Sequence, residues 1–465
     1  MNSTQQKAQG LTIAYIGGGS RGWAWGFMKD LGMDGQMKGL VRLYDIDREA
    51  AEKNKRIGEM ISAHPLARSA WRYEVAGSLR EALTGADFVV ISILPGNFRH
   101  MRSDVHLPEE YGVYQSVGDT VGPGGLLRAL RTVPMYAEIA RAIRDYAPLA
   151  WVINYTNPMS VCMLALHEVF PGIRAFGCCH EVFGTQKLLA QMLDDLEGIK
   201  DVRREDIRID VNGVNHFTWL TGASFQGMDL LPLYRAFADK YHETGYMRGG
   251  DNNWMNSHFA SSHKVKFDLF RRYGAIAAAG DRHLAEFMPP WYLKDPDTAH
   301  VWGFTLTPVS WREEDLSRRI AQREGLLDGS RELEMKPSGE EGHLLIKALL
   351  GLGDLVSNVN LINRGQSPDL PLGCAVETNA LFSSRHIAPV LAGPLPAMVA
   401  SLSVRHARNQ METVQAALTC DRQLALNILL NDPQMAAVRP QDAETMLSRM
   451  LDNTIDALPA GWRTG

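Results

Sequence analysis

Cysteine is scarce in this sequence, and long apolar runs are missing from it. Five cysteines occur in 465 residues, and an odd number in a chain of this length speaks against a disulfide-rich secreted domain. No stretch approaches the roughly 18 uncharged apolar residues of a transmembrane helix, and residues 1–10 are polar instead of leading into an apolar signal core. We therefore expect a cytoplasmic protein whose thiols are reduced and available to a metal.

An excess of charge of one sign is also absent. The 48 basic and 53 acidic residues give a formal net charge of −5 and form no long runs. Segments that bind nucleic acid or membrane surfaces need a local excess of lysine and arginine. The sequence thus predicts no nucleic acid and no membrane as partners, and small molecules are the expected ones.

The composition is that of a globular protein long enough for two large domains. It is 45% hydrophobic and 22% charged, without internal repeats or low-complexity tracts. Buried-strand patterns alternate with helical ones up to an acidic and polar stretch at 194–206, and beyond it the pattern is mainly helical. We place the boundary near residue 200, which divides the chain into domains 1–200 and 201–465.

A nucleotide-binding signature opens the first domain. The apolar run Leu11–Ile16 has the pattern of a buried strand, and "GGGSRG" leads from it into a helical segment. Gly17, Gly19 and Gly22 match G-x-G-x-x-G, in which glycine lets the backbone approach a pyrophosphate held at the helix N-terminus. We assign these glycines and Ser20 to the binding of a dinucleotide.

An acidic residue stands where the ribose of the dinucleotide is expected. The second strand pattern, "LVRLYDID", places Asp45 just after its apolar end, about 20 residues beyond the last glycine. A carboxylate at this position accepts hydrogen bonds from the ribose hydroxyls of NAD and repels the extra phosphate of NADP. The pattern therefore predicts NAD; the alternative is a tight turn followed by a helix cap.

Further strand patterns follow, and their ends are expected to meet. They cover 86–94, 149–154 and 174–179, with a helix predicted over 125–146. Ligands of an open parallel sheet lie beyond the carboxyl ends of its strands. We therefore expect the loops after these strands to converge on one crevice, and we assign Pro95, Asn97 and Asn154 to the cofactor.

The second domain begins with a predicted hairpin. The stretch "IRIDVNGVNHFTWLTGASF" alternates and contains Asn212-Gly213, a strong turn signal, which puts His216 near the start of the second strand. Helices are predicted over 342–359 and 397–430, with a loop or strand region at 363–380 between them. The sequence thus predicts an α/β protein, with a Rossmann-like doubly wound parallel sheet first and an α+β, mainly helical domain second.

Cys179 and His216 are candidates for an open metal site. Two such ligands from separate segments leave positions for substrate oxygens and water, which a Lewis-acid catalyst needs. The run "CCHE" matches no closed zinc pattern. A buried thiol beside a capping His180 is therefore an equal alternative.

Three other polar segments have two interpretations each. The loop "VGDTVGPGG" (117–125) either cradles a ligand through backbone N–H groups or is a plain turn, and Asp119 in it is an acid or a turn residue. Asn154 and Asn157 either bind sugar hydroxyls or satisfy the loop backbone. The charged residues of "AAAGDRHLAEFMPPWY" (277–292) are by default solvated loop charges.

Six motifs taken together resemble glycoside hydrolase family 4, the NAD- and metal-dependent glycosidases. They are "GGGS", "GDTVGPGG", "NYTNPM", "CHEVFG", "NGVNHFTW" and "GDRHLAEF", in this order over nearly the whole chain. The resemblance implies a C-terminal part like that of lactate and malate dehydrogenases. It also implies NAD, Mn²⁺ or another divalent metal, a glycoside substrate, and a homodimer or homotetramer.

The implied reaction differs from hydrolysis by two flanking carboxylates, a scheme to which the NAD-dependent family is an exception. NAD removes hydride from C3 of the sugar, and the resulting ketone acidifies the proton on C2. A base takes this proton while the metal, bound to the C2 and C3 oxygens, stabilises the enediolate. The C1 oxygen departs, water adds and the hydride returns, so that NAD is recycled.

The resemblance assigns roles around the metal. Cys179 and His216 are the implied ligands, and Asn157 is the implied ligand of a substrate hydroxyl beside the metal. His180 stands where some relatives have an aspartate general acid, and histidine can do this work near neutral pH. Asp119 is a further candidate for acid catalysis.

The base and the substrate follow from the same comparison of motifs. Phosphoglucosidase members have a tyrosine near 281–283, and this chain has none there, so the implied base is Asp281, with His283 second. This difference and "CHE" in place of "CN" argue against a 6-phosphosugar. A uronate needs a carboxylate partner, for which the planar fork of Arg282 is suited, and Glu181 is a second substrate contact.

The contexts "CHEVFGTQ" and "GDRHLAEF" look most like those of the α-galacturonidases, and α-galacturonide is the first expected substrate. α-Glucuronide, α-galactoside and α-glucoside follow it. A simple NAD-dependent dehydrogenase of hydroxy acids or sugars is the alternative from another class. Such an enzyme would release NADH in stoichiometric amounts and would need no manganese.

Overall fold

A computed structural model describes residues 8–248, 255 and 257–463. The strands are β1 Ala8–Ile16, β2 Met37–Tyr44, β3 Arg72–Val75, β4 Phe88–Ile91, β5 Trp151–Asn154, β6 Arg174–Gly177, β7 Ile207–Val214, β8 Phe217–Phe225, β9 Met228–Asp229, β10 Ile276–Ala277, β11 Leu355–Ile362, β12 Ala375–Ser383 and β13 His386–Pro389.

The α-helices, in chain order, enclose these strands. They are α1 Trp23–Met33, α2 Arg48–Ala63, α3 Leu79–Leu83, α4 Phe98–His106, α5 Gly122–Tyr146, α6 Met159–Val169, α7 Glu181–Glu197, α8 Leu231–Tyr241, α9 Lys264–Tyr273, α10 Asp281–Glu286, α11 Pro296–Val301, α12 Val309–Asp328, α13 Gly342–Leu349, α14 Ala397–Thr419, α15 Arg422–Leu430 and α16 Pro440–Thr454.

A nine-stranded sheet forms the centre of the molecule. Its order is β13-β12-β11-β6-β5-β4-β1-β2-β3. The strands from β6 to β3 in this order are parallel, and they have the doubly wound arrangement of dinucleotide-binding folds. The predicted strands and the predicted helix of the first domain are confirmed, and so is the fold class.

The second half of the chain extends the same sheet. Strands β11 to β13 join it beside β6 in antiparallel pairing. The helix predicted over 342–359 is therefore wrong beyond Leu349, because Gly351 and Gly353, both with positive φ, turn the chain out of the helix and into β11. The boundary near residue 200 stays a prediction.

Alternate side chains of the parallel strands enter two separate cores. In β1, Ala14 and Ile16 pack with α5, α6 and the C-terminal helices, whereas Ile13 and Tyr15 pack with α1, α2 and α13. This period of two buries both faces of the sheet. The continuous apolar run that predicted β1 follows from it.

A smaller sheet stands beside the extension strands and carries the predicted hairpin. Strands β7 and β8 are antiparallel, as predicted, but the turn lies at Asn215-His216 and not at Asn212-Gly213. The Asn212 side chain is buried and donates to the Gly393 carbonyl, so it belongs to the strand. At Gly213 a side chain would contact Phe217 O at 2.5 Å, so glycine serves close strand approach there.

In the described part of the chain, no helix is long and apolar enough to cross a membrane. Residues 1–7, which include most of the polar start considered above, lie outside the described residues.

Candidate active site

The glycine-rich loop after β1 leaves no room for side chains. A Cβ atom at Gly17 would collide with the carbonyl oxygen of Ser92, and one at Gly19 would lie 2.9 Å from Asp45 Oδ2. The side-chain amide of Asn54 donates to the carbonyls of Gly18 (2.7 Å) and Ser20 (2.8 Å), which fixes the loop. This is a backbone surface on which a pyrophosphate can lie closely.

Asp45 lies at the end of β2 and faces this loop. Its Oδ2 accepts from the Gly19 N–H at 2.8 Å, and its Oδ1 accepts from the Asp47 N–H at 2.9 Å. Each carboxylate oxygen keeps a lone pair, and the residue is half-exposed. The loop and the carboxylate therefore fit a dinucleotide with a free ribose diol.

The other residues assigned to the cofactor differ in how accessible they are. Pro95 is buried, and exposed Asn97 caps α4 by accepting from the His100 N–H. Asn154 is fully buried and bonds Tyr136, Thr156 and Met159. A cofactor contact by the Asn154 side chain stays a prediction, and these bonds do not support it.

Three residues from distant segments meet beside Glu181, which begins α7 after β6 and therefore lies at the carboxyl edge of the sheet. They are Asp119 before α5, His216 in the β7–β8 turn and His283 on α10, and their ligand-type atoms all lie within 4.8 Å of one another. The two imidazole rings stack with centroids 3.7 Å apart. A carboxylate and two imidazoles at these distances can hold a divalent metal.

Thr120 determines which nitrogen of His216 is free. The Thr120 hydroxyl donates its single hydrogen to Asp119 Oδ1 at 2.7 Å. The contact of 2.8 Å between Thr120 Oγ1 and His216 Nδ1 therefore requires an N–H on Nδ1. His216 Nε2 is then unprotonated, as a metal ligand must be.

The second nitrogen of His283 has a different environment. Its Nε2 lies 3.9 Å from Glu181 Oε1, and its Nδ1 is buried without a partner among the described residues. Glu181 is itself fixed, because its Oε2 accepts from the Gly280 N–H at 2.8 Å. The distance of 3.9 Å from Nε2 to Glu181 is too long for a hydrogen bond, but the Glu181 carboxylate favours a proton on the nitrogen that faces it, which leaves Nδ1 as an acceptor.

The charges of the cluster are those of a metal or acid–base site. Burial lowers the pKa of His216 to about 3 and also lowers that of His283. Burial opposes ionisation of Asp119, but His283, Arg128 and His216 outweigh it and hold the pKa of this carboxyl below its ordinary range. An ionised Asp119 carboxylate and imidazoles whose burial disfavours the cationic form are groups that a divalent metal can bind.

Two predicted residues, Cys179 and Asn157, are not part of this cluster. Burial, with Glu377 and Glu181 nearby, raises the pKa of the Cys179 thiol well above its usual value, so a metal would have to displace its proton. The side-chain oxygen of Asn157 is buried and unpartnered among the described residues. Such an oxygen fits a hydroxyl or a metal-bound ligand.

The structure puts Asp281 in another role. Its carboxylate is fully buried and accepts the N–H groups of Val265 (3.2 Å) and Lys266 (3.1 Å) at the start of α9. Burial raises its pKa to about 6. Asp281 is thus a helix cap in this structure, and its assignment as base stays a prediction that these contacts do not favour.

Of the other predicted residues, His180 is exposed and Arg282 is buried. His180 begins α7, where its Nδ1 lies 3.0 Å from Glu340 Oε1 and its ring stacks on Trp23. Arg282 is buried, donates to the Ser116 carbonyl at 3.0 Å, and leaves its Nε unpartnered among the described residues.

The charged residues of 277–292 are not solvated loop charges. Asp281, Arg282 and Glu286 are buried, and His283 is half-buried. The default interpretation as solvated charges is wrong because the sequence does not show which distant segments cover a charged side chain. The apolar residues between them were the one signal of burial.

Glu286, to which the motif "GDRHLAEF" assigned no role, holds the loop that carries Asp119. Its Oε1 accepts the N–H groups of Val117 (2.6 Å) and Gly118 (2.9 Å). Further along the loop, the Gly122 N–H donates to Asp432 Oδ2 at 2.9 Å. These three N–H groups are used inside the protein, which favours the plain turn over a ligand cradle for this part of the loop.

Comparisons with known proteins agree with this geometry. The model described as "Family 4 glycosyl hydrolase" matches residues 12–195, and the one described as "Family 4 glycosyl hydrolase C-terminal domain" matches residues 211–435. An α-galacturonidase of Thermoanaerobacterium saccharolyticum is 55% identical over 464 residues, which are 100% of this chain and 99% of that protein.

Solved structures give the same result for the fold. The crystal structure of the lplD protein of Bacillus subtilis has a TM-score of 0.91 and 54% identity, over 95% of this chain and 100% of that one. A 6-phospho-α-glucosidase from gut microorganisms, solved with NAD and Mn²⁺, has a TM-score of 0.79 at 19% identity, over 97% of this chain and 99% of that one. The latter likeness concerns the fold alone.

Proposed function

The chain belongs to the family 4 glycosyl hydrolases, and we propose that it hydrolyses α-galacturonides with NAD and a divalent metal, Mn²⁺ first. The observation that carries this proposal is 55% identity to an α-galacturonidase over the whole length of both chains. The metal-compatible cluster of Asp119, His216 and His283 beside a dinucleotide crevice supports it. α-Glucuronide, α-galactoside and α-glucoside remain the alternative substrates.

The cofactor would be held by the loop after β1. Gly17, Gly19, Ser20 and Gly22 provide the backbone surface, and Asp45 accepts the ribose hydroxyls. When bound, NAD supplies a hydride acceptor and the metal supplies a Lewis acid. The free N–H groups at the start of α1 favour the charge of the pyrophosphate.

The metal would be held by His216 through Nε2, with Asp119 and Cys179 as further ligands. Thr120 supports this because it fixes the His216 tautomer. The buried oxygen of Asn157 is the proposed acceptor for a sugar hydroxyl beside the metal.

We assign the C2 proton to His283 rather than to Asp281. His283 Nδ1 is unpartnered among the described residues, and the lowered pKa of this histidine keeps it unprotonated near pH 7. His180 is the proposed donor of a proton to the departing C1 oxygen. Its pKa is raised by the hydrogen bond with Glu340, which favours the protonated ring.

Arg282 and Glu181 are the groups proposed to recognise the sugar itself. The unpartnered Nε of Arg282 is the proposed donor to the uronate carboxylate. Glu181, half-buried next to His283, is the proposed acceptor of a sugar hydroxyl.

The setting and assembly of the protein are part of the proposal. Five free cysteines and a dependence on NAD are suited to the cytoplasm. A homodimer or homotetramer is expected of the family, and Val390 and Leu391, exposed directly after the edge strand β13, are apolar surface available for it. Sedimentation equilibrium measures this state directly.

The test is hydrolysis of α-galacturonides, with the three alternative glycosides in parallel and with NAD, Mn²⁺ and reductant each omitted in turn. We expect sugar release from the galacturonide that requires both NAD and metal, without net NADH. Steady accumulation of NADH without glycoside cleavage would contradict the proposal and identify a simple dehydrogenase.

A further inference from the structure

Helix α12 lies across the carboxyl edge of the parallel sheet. At its first residue the Val309 N–H donates to His106 Nε2 of α4 at 3.2 Å. Near its other end Glu324 pairs with Lys53 of α2 at 3.1 Å. Between these points Arg319 Nη1 lies 3.4 Å from the Arg21 carbonyl. Since α4 follows β4 and α2 follows β2, α12 crosses the glycine loop that follows β1.

A cavity of about 520 Å³ separates α12 from α1 and from residues 336–338. The basic residues that line it are Arg21, Lys29, Arg318, Arg319 and Lys336, and the acidic one is Asp315. The carboxylate of Asp315 already pairs with Arg319 at 2.6 Å and with Arg318 at 3.3 Å. The lining therefore has an excess of positive charge.

The cavity includes the uncapped start of α1. Gly22 caps this helix without a side-chain hydrogen bond to its first N–H groups. A Cβ atom at Gly22 would collide with the guanidinium of Arg319. The Nε of Arg21 is also buried without a partner among the described residues. The Arg319 guanidinium, the N-terminus of α1 and Arg21 thus line the same cavity.

We propose that Arg319 of α12 binds the pyrophosphate of the dinucleotide against the N-terminus of α1. A guanidinium matches two phosphate oxygens with two parallel N–H groups, and the helix N-terminus adds N–H groups on the other side. Asp315 accepts from Arg319 Nε at 2.6 Å and so orients the fork. This inference rests on the proposed function, which supplies NAD as the ligand.

The experiment is titration calorimetry of the full-length chain with three ligands. NAD and ADP-ribose contain the pyrophosphate, and adenosine does not. The variants are Arg319→Gln and Arg319→Lys, and Lys55→Gln at a half-exposed position of α2 outside the cavity lining removes the same charge as a matched control. Because Arg319 is exposed, the variants keep the fold, which thermal melting checks.

We expect Arg319→Gln to weaken NAD and ADP-ribose about tenfold and to leave adenosine unchanged. Arg319→Lys should lie between, because it keeps the charge and loses the fork, and Lys55→Gln should bind like the wild type. Equal NAD affinity in Arg319→Gln and the wild type would overturn this inference and leave the proposed function standing. The same would follow if Arg319→Gln weakened adenosine as much as NAD. Failure of the wild-type chain to bind NAD would overturn the proposed function as well.

Discussion

The two stacked histidines, His216 and His283, differ in the hydrogen-bond partners of their Nδ1 atoms. His216 Nδ1 is tied to Thr120, whereas His283 Nδ1 is buried without a partner among the described residues. A hydrogen bond at Nδ1 fixes the tautomer of the ring, and a histidine that binds a metal needs a fixed tautomer. An unpartnered nitrogen that accepts hydrogen bonds is suited to take a proton. At the scale of single residues, this difference separates a ligand from a base.

This assignment predicts different effects for two substitutions. His283→Asn should lower kcat by about 100-fold or more, because general bases contribute at least that much. Asp281→Asn keeps one acceptor at the start of α9 and places a donor where the other was, so it should lower the free energy of unfolding by about 1–3 kcal/mol. Steady-state kinetics with saturating NAD and Mn²⁺, together with urea denaturation, measures both.

Calorimetric titration with NAD is the control for His283→Asn, since this variant should bind the dinucleotide as the wild type does. If Asp281→Asn lowered kcat as much as His283→Asn does, at unchanged stability, Asp281 would be the base instead of His283.

At the scale of elements, α10 and the loop 116–125 form one unit. Glu286 at the end of α10 accepts two N–H groups of the loop, and His283 and Asp119, one from each segment, belong to the same cluster. Burial raises the pKa of Glu286 to about 7. What the loop needs from this side chain is therefore an oxygen acceptor, more than a negative charge.

Glu286→Gln and Glu286→Met test this unit as a matched pair. Glutamine keeps a carbonyl oxygen for the N–H groups of Val117 and Gly118, and its free energy of unfolding should stay within about 1 kcal/mol of the wild type. Methionine has a similar shape and leaves both N–H groups buried and unsatisfied, which costs about 1–3 kcal/mol each. Urea denaturation measures the free energy of unfolding, and Mn²⁺ titration measures the metal affinity, which depends on the geometry of the cluster.

Equal stability and equal Mn²⁺ affinity for the two Glu286 variants would contradict the acceptor role. A loss of Mn²⁺ affinity in Glu286→Met alone is the expected result, because Asp119 then loses its position relative to His216, the other proposed ligand.

At the scale of the whole molecule, the two halves of the chain share one sheet. Strands β11 to β13 continue the sheet next to β6, and α14 from the second half packs in the same core as α5 and α6. Separation after residue 200 would expose the edge of β6 and one face of that core. We therefore predict that the halves recognised by the two family models unfold as one cooperative structure.

Calorimetry of the full-length chain should show a single unfolding transition, with calorimetric and van't Hoff enthalpies in agreement. Saturating NAD should raise its midpoint as a whole, since a ligand at about 100 times its Kd adds about 2.7 kcal/mol. Two transitions, with only the first shifted by NAD, would instead support independent domains 1–200 and 201–465.

The sequence by itself determined what depends on neighbours along the chain. Apolar runs predicted the buried strands, and the order of strand, Gly17, Gly19, Gly22 and Asp45 predicted the dinucleotide crevice. Motif order was enough for the family, whose models match both halves. These features are local because strand burial and tight turns follow from residues a few positions apart.

Only the tertiary structure decided which partners the polar groups have. Asp281 and Asn154 form hydrogen bonds inside the fold. Glu286 instead accepts from the loop that carries Asp119, and Arg319 lies against the cofactor loop. The partners come from segments far away along the chain, as for Arg319 beside Arg21. A hydrogen bond requires donor and acceptor within about 3 Å, and packing of distant elements alone creates that proximity.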